Sequence, residues 1–178
     1  MQDRLAEALL KTCINYGIKA IEEPENYEAR ANLMWTGSLA INDLISYGKI
    51  TEWSVHGMEH VLSAYYDITH GVGLAILTPH WMKYALSDKT LNKFFEYGVN
   101  VWGLDPKADK MAVANSAIEK TKEYFAAMGI PLTLREVGIG EENLEIMAKQ
   151  ATERSKGRLG NFKPLDSQDI LNIFKAAL

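Results

Sequence analysis

The stretch His56-Gly57-Met58-Glu59-His60-Val61-Leu62-Ser63-Ala64-Tyr65-Tyr66-Asp67-Ile68-Thr69-His70-Gly71-Val72-Gly73-Leu74-Ala75-Ile76-Leu77-Thr78-Pro79 decides how this chain is read. Its apolar residues recur at helical intervals, giving one helix from about Trp53 to Tyr66 and another from about Gly71 to Tyr84. Three of the four histidines of the chain fall inside it. Imidazole is the commonest metal ligand and the usual proton carrier near neutral pH. His56 and His60, four residues apart on one helix, project from nearly the same face and can grip one ion. A single histidine on a helix more often packs and bonds to a carbonyl; the clustering of three points to a metal.

Helical periodicity continues on both sides. Upstream, Leu5, Leu9, Cys13 and Ala20 mark a first helix, and Asn26 is placed to cap a second from Tyr27 to Tyr47, ending at Gly48. Leu33, Gly37, Ala40 and Leu44 line one stripe of that helix, and Met34, Ile41 and Ile45 broaden it, which predicts a largely buried helix near the centre. Downstream, a fifth helix spans Thr90 to Trp102, between the breakers Ser87-Asp88 and Gly103. A sixth has Pro106 in its first turn and Met111, Ala114, Ile118, Phe125 and Met128 facing inward, with Gly129 as its stop. After a short extended piece, Ile130 to Leu134, a seventh helix runs from Glu141 to about Ser155. A loop from Lys156 to Pro164 leads to a last helix capped by Asp166 or Ser167, with Ile170, Phe174 and Leu178 inward. Little remains for a sheet. The expected fold is all-α, a compact bundle of about seven or eight helices forming one domain over residues 1–178.

A net charge of −4 and a pI near 5.6 offer no basic footprint for nucleic acid. The single cysteine, Cys13, cannot form an internal disulfide and is read as a small packed hydrophobe, which suits a reducing cytoplasm. The N-terminal MQDRLAEALLKTC is charged and amphipathic, unlike a secretory leader, and no segment approaches the roughly 18 consecutive apolar residues of a membrane span.

Other chemistries find weaker support. Gly71-Val72-Gly73 and Gly138-Ile139-Gly140 begin like phosphate-binding fingerprints, but neither follows a predicted strand and neither has the third glycine. Asp67 and His70 mimic an acidic-x-x-His pair, yet a di-iron bundle needs that motif twice. There is no Gly-x-Ser-x-Gly elbow, and no adjacent His-Asp pair of the kind a helical phosphohydrolase would show. Trp35, Trp53, Met58, Tyr66, Trp81 and Met82 are read by default as core.

The pattern from His56 to Pro79 resembles the histidine signature of iron-dependent alcohol dehydrogenases, in their butanol-dehydrogenase-like branch. The likeness extends upstream through Glu23-Pro24-Glu25-Asn26-Tyr27-Glu28-Ala29-Arg30-Ala31-Asn32-Leu33-Met34-Trp35 and downstream through Arg158-Leu159-Gly160-Asn161-Phe162, so it covers nearly the whole chain. In that family a nucleotide-binding domain precedes a helical one, and a metal between them is bound by an aspartate and three histidines. Carried over residue by residue, the resemblance makes His56 and His70 metal ligands. It moves His60 off the metal, to a catalytic place beside the nicotinamide and substrate, replacing the His56/His60 pairing suggested by spacing. Trp53, Tyr65 and Tyr66 become candidates for the substrate pocket. The implied cofactors are Fe²⁺ or Zn²⁺ and NAD or NADP; the implied reaction interconverts a primary alcohol and an aldehyde.

The family's other two ligands, in an Asp-x-x-x-His, fall before this chain's first residue, and no such motif occurs within it. The expectation is therefore a C-terminal fragment with an incomplete ligand set, inactive alone, whose partners are an N-terminal nucleotide-binding domain, a small alcohol or aldehyde, and further copies of itself. The alternatives are a metal-free helical interaction or structural module and one subunit of a split enzyme.

Overall fold

In a computed structural model, which describes residues 1–153 and 155–178, the chain forms eight α-helices. They are α1 (Gln2–Glu22), α2 (Tyr27–Ile41), α3 (Ser54–Tyr66), α4 (His70–Ala85), α5 (Leu91–Asn100), α6 (Lys110–Ala127), α7 (Leu144–Glu153) and α8 (Ser167–Ala176). A 3₁₀ turn occupies Arg135–Val137. Among the described residues there is no β-strand, and sheet-like pairing is confined to a single antiparallel bridge, Leu159 with Leu165. The all-α expectation stands.

Helix ends follow local chemistry. The Asn26 side chain accepts from the Ala29 amide at 2.9 Å, and Asp109 accepts from Ala112 at 2.9 Å, each relieving a backbone donor that a helix start leaves unpaired. Asp166 accepts from the amides of Gln168 and Asp169 while Asp169 accepts from the Asp166 amide, a reciprocal capping box. At the other end of α3, Asp67 adopts a left-handed conformation with φ of 51°, and its amide donates to the Ser63 carbonyl at 2.9 Å. A three-residue turn, 67–69, then leads directly into α4.

Expectations for three of the helices need correction. The second helix stops at Ile41, not Tyr47, because Asn42 accepts from the Leu44 amide and Asp43 takes a φ of 67°, a local turn that competes with helix. Nor is it a central buried helix: it buries only Ala29 and Thr36, while Met34 is 76% and Ile41 83% exposed. Its broad apolar surface faces outward, taking Trp35 with it.

The sixth helix begins at Lys110, since Asp105 accepts from the Lys107 amide and holds Pro106 in a turn outside it. Its buried stripe is Val113, Ala114, Ala117 and Ile118, so Met111 points out. The seventh begins at Leu144 rather than Glu141, and its expected end at Ser155 includes position 154, which lies outside the described residues.

The chain divides into two compact units, Met1–Ile50 with Leu91–Lys120, and Thr51–Thr90 with Thr121–Leu178. In the first, α1 lies against α2, and Tyr16 donates to Glu28 across the pair at 2.9 Å. Also in this unit, Gly98 lets α5 approach α6 so closely that a Cβ there would lie 2.7 Å from Val113 Cγ1. The second unit holds a continuous apolar core in which Met58 and Leu62 of α3, Ile76 and Leu77 of α4, Met147 of α7 and Phe174 of α8 are all essentially inaccessible. Each such side chain contributes about 1.5–3 kcal/mol by leaving water. That core anchors α3 and α4, the two helices that carry the histidine cluster.

Candidate metal centre

His56 and His60 stand on α3, and His70 opens α4 after the 67–69 turn. The turn folds α4 back so that all three imidazoles converge. Ring centroids are 5.4 Å apart for His56 and His70, 5.4 Å for His60 and His70, and 6.2 Å for His56 and His60. Imidazoles on a shared ion, each bonded at about 2.0–2.1 Å, reach such separations. The donor set therefore fits a borderline divalent cation such as zinc or ferrous iron.

Burial pushes the His56 imidazole below its usual pKa, and the neighbouring His70 and His60 rings push the same way, with Glu59 opposing only in part. A depressed pKa keeps the ring neutral and its lone pair free, the form a metal requires. Trp53 packs edge-on against His56 with centroids 4.6 Å apart, and its indole nitrogen donates to Thr51 Oγ1 at 3.0 Å.

The candidate pocket residues do not all gather here. Trp53 touches the cluster and is 54% exposed, correcting its reading as core. Tyr65 and Tyr66 lie at the far end of α3, with ring centroids 6.4 Å apart. The Tyr66 hydroxyl accepts from Asn143 at 3.0 Å and donates to Glu142 at 3.3 Å, which ties it to the segment leading into α7.

Glu59 is the residue that sequence reasoning missed. It is completely buried, its Oε2 meets His70 Nδ1 and its Oε1 accepts from the Ser63 hydroxyl. Ser63 Oγ also lies 3.1 Å from the Ile68 carbonyl, a competing acceptor for its single proton. Asp67, singled out as the acidic partner of His70, instead forms the left-handed end of α3. The available signal was the four-residue spacing of Glu59 and Ser63, which puts both on one helix face.

One carboxylate oxygen of Glu59 and one ring nitrogen each of His60 and His70 lie within 4.8 Å of one another, so a Glu59/His60/His70 grouping also satisfies simple proximity. The direct contact between Glu59 and His70 Nδ1 argues against an ion between those two atoms, because ligands on one tetrahedral ion stand about 3.3 Å apart.

A second carboxylate, Glu52, fixes the start of α3. It accepts from the Ser54 amide at 2.8 Å, from Asn161 at 2.7 Å and from Phe162 at 2.6 Å. Burial raises its pKa, but the bonds from Ser54, Phe162 and Asn161 outweigh that and leave it lowered. Asn161 Nδ2 adds a bond to the Thr51 carbonyl at 2.9 Å. Gly160, at φ of 87°, permits this closeness, since a Cβ there would lie 2.0 Å from Ser54 Oγ. Gly57, between His56 and Met58, leaves space for Leu159, whose Cδ1 would stand 2.6 Å from an added Cβ.

The chain matches the description "Fe-containing alcohol dehydrogenase family, C-terminal" over residues 1–178. It is 60% identical over 175 residues to NADH-dependent butanol dehydrogenase A of Clostridium acetobutylicum, covering 98% of this chain and 45% of that protein. It is 33% identical over 178 residues to the NADPH-dependent aldehyde reductase YqhD of Escherichia coli, covering 99% of this chain and 45% of the relative. The crystal structure of NADH-dependent butanol dehydrogenase A from Thermotoga maritima superimposes with a TM-score of 0.90 at 34% identity, covering 99% of this chain and 46% of that one. The chain thus spans a little under half the length of these relatives. With the histidine signature, the helical fold and a match running from its first residue to its last, the chain belongs to the Fe-containing alcohol dehydrogenase family.

Proposed function

We infer that this chain supplies the metal-binding half of an NAD(P)-dependent alcohol dehydrogenase that interconverts primary alcohols and aldehydes of butanol type. The observation that carries the reading is the convergence of three imidazoles from α3 and α4, at centroid distances of 5.4–6.2 Å, in a chain 60% identical to a butanol dehydrogenase. His56 and His70 hold the ion, Fe²⁺ or Zn²⁺. Two imidazoles fall short of the three or four protein ligands of a preorganised site, so an aspartate and a histidine from an N-terminal nucleotide-binding domain complete it. The chain by itself is then inactive, and the assembled enzyme works in the cytoplasm.

When bound, the metal supplies Lewis acidity toward the alcohol or aldehyde oxygen, where charge develops as hydride passes to or from the nicotinamide. The chain's own residues prepare that step. His56, half-buried and with its pKa depressed, offers a neutral ring. His60, exposed and off the metal, would be the group that exchanges a proton with the alcohol oxygen. Trp53, which packs against His56, would line the substrate pocket, with Tyr65 and Tyr66 further from it along α3.

Calorimetric titration with Zn²⁺ or anaerobic Fe²⁺ tests this assignment. His56→Ala and His70→Ala should each abolish binding, while His60→Ala should spare it. Equal loss in all three variants would favour a site using His60 as ligand. Absence of binding by the unsubstituted chain would favour the second reading, a metal-free docking module. That reading draws its support from the exposed apolar run Tyr27, Met34, Trp35, Ile41, Tyr47 and Ile50, each at least 68% exposed.

A further inference from the structure

We propose that Glu59, although no metal ligand itself, is the positioning residue of this centre: it fixes the tautomer and orientation of His70, and Gly73 and Ser63 exist beside it to hold its carboxylate in place. The proposal rests on the reading of His70 as a ligand and deepens it.

Glu59 is wholly buried in unit two, where an isolated carboxylate is costly unless its charge and lone pairs are met. Both oxygens are met. Ser63 Oγ donates to Oε1, and the His70 ring contacts Oε2 through Nδ1. With the carboxylate as acceptor, Nδ1 carries the proton and donates it. The lone pair of His70 is then on Nε2, the nitrogen on the side of the ring away from Glu59. Of the two ways a neutral imidazole can meet an ion, the chain has selected one before any metal arrives.

Two further neighbours confine the carboxylate. On one side Gly73, one turn into α4, faces it: an added Cβ would sit 2.7 Å from Glu59 Cγ and 2.9 Å from Oε1. Ser63, one turn along α3, lies on a second and donates its hydroxyl proton to Oε1. Gly71, two residues earlier, has nothing within 4 Å of an added Cβ, so room is made only where the carboxylate needs it.

The test is the nitrogen spectrum of ¹⁵N-histidine-labelled, metal-free chain, recorded well above the ordinary imidazole pKa of about 6.5. His70 should be in the Nδ1–H form. Glu59→Gln should keep that form, because the amide carbonyl accepts the same bond while the amide nitrogen turns to Ser63. Glu59→Leu should release it toward the Nε2–H form and lower Zn²⁺ affinity by about 10–100-fold. Gly73→Ala, which keeps the carboxylate but displaces it, should shift the tautomer in the same direction and serves if Glu59→Leu does not fold.

An unchanged His70 tautomer in Glu59→Leu or Gly73→Ala would overturn the proposal. So would Glu59→Gln abolishing Zn²⁺ binding as fully as His70→Ala, since that would make Glu59 a ligand. If His70→Ala binds Zn²⁺ normally while the tautomer follows Glu59 as described, the ligand reading has failed and the Glu59 bond has not.

Discussion

Gly73 of α4 faces Glu59 of α3 at a distance that admits hydrogen but not carbon, with an added Cβ only 2.7 Å from Glu59 Cγ. Gly73→Ala forces the buried carboxylate aside, and overpacking of this kind costs about 1–3 kcal/mol, offset in part by alanine's better helix propensity. Gly71→Ala meets no atom within 4 Å and should be neutral or stabilising by up to about 1 kcal/mol. Urea unfolding of the two variants side by side gives the comparison; equal destabilisation would show that the glycines serve the helix backbone and not Glu59.

Glu52 gives the second prediction. Its folded pKa lies below the ordinary 4.5, burial being outweighed by bonds from Ser54, Phe162 and Asn161. For a carboxylate with a depressed folded pKa, the stabilisation is present above the unfolded value and is lost as pH falls through the folded one. Hydrogen-exchange protection of the Asn161 and Phe162 amides should therefore be full at pH above about 5 and fall progressively below the 4.5 reference. Glu52→Gln should flatten that dependence and lower protection above about pH 5, the two profiles converging at low pH. A pH-independent wild-type profile would mean the carboxylate does not hold the loop.

The outward face of α2 gives a third. Met34 and Ile41 are 76% and 83% exposed, so Met34→Gln and Ile41→Gln should change stability by no more than about 0.5 kcal/mol. Were α2 the buried central helix suggested by its apolar pattern, each would cost several times that. Thermal denaturation distinguishes the two cases.

Asp166 offers the fourth. Its side chain accepts two amides at the start of α8, and Asp166→Ala should lose about 0.5–2 kcal/mol in a urea melt. Asp166→Asn, which keeps the acceptor, should retain most of it.

The fold was legible in the sequence wherever one side chain settles the local choice. Asn26 and Asp166 cap the helices expected of them, and the breaks after Tyr66 and at Gly129 fall as read. Reading failed where two local signals compete. Pro106 favours a first turn, but Asp105 and Asp109 both bond to nearby amides, and the helix waits for Asp109. Asn42 and Asp43 likewise end α2 against an apolar pattern running on to Tyr47.

Burial of α2 was misread for a different reason: periodicity reports that a helix has an apolar face, not that this chain covers it. At the centre, the three histidines were visible because their residue type is chemically distinctive. Glu59 was not, because one acidic residue on a helix looks like a solvated one until the fold removes its water. Spacing alone paired His56 with His60, four residues apart, whereas folding brings His70 to the same 5.4 Å from each.

The 67–69 turn between α3 and α4 works as a ruler. His56 and His70 are fourteen residues apart (70 − 56), and that interval is part helix, part turn, with Asp67 backward-bonded to Ser63 and Ile68 within reach of the same serine. Each residue added to a helix turns everything beyond it by about 100° and advances it about 1.5 Å. One insertion anywhere in the interval would swing the His70 ring off its partner rings even though every residue of the site was retained. Length is thus as much a component of this centre as any side chain. Insertions and deletions should be rejected between position 56 and position 70.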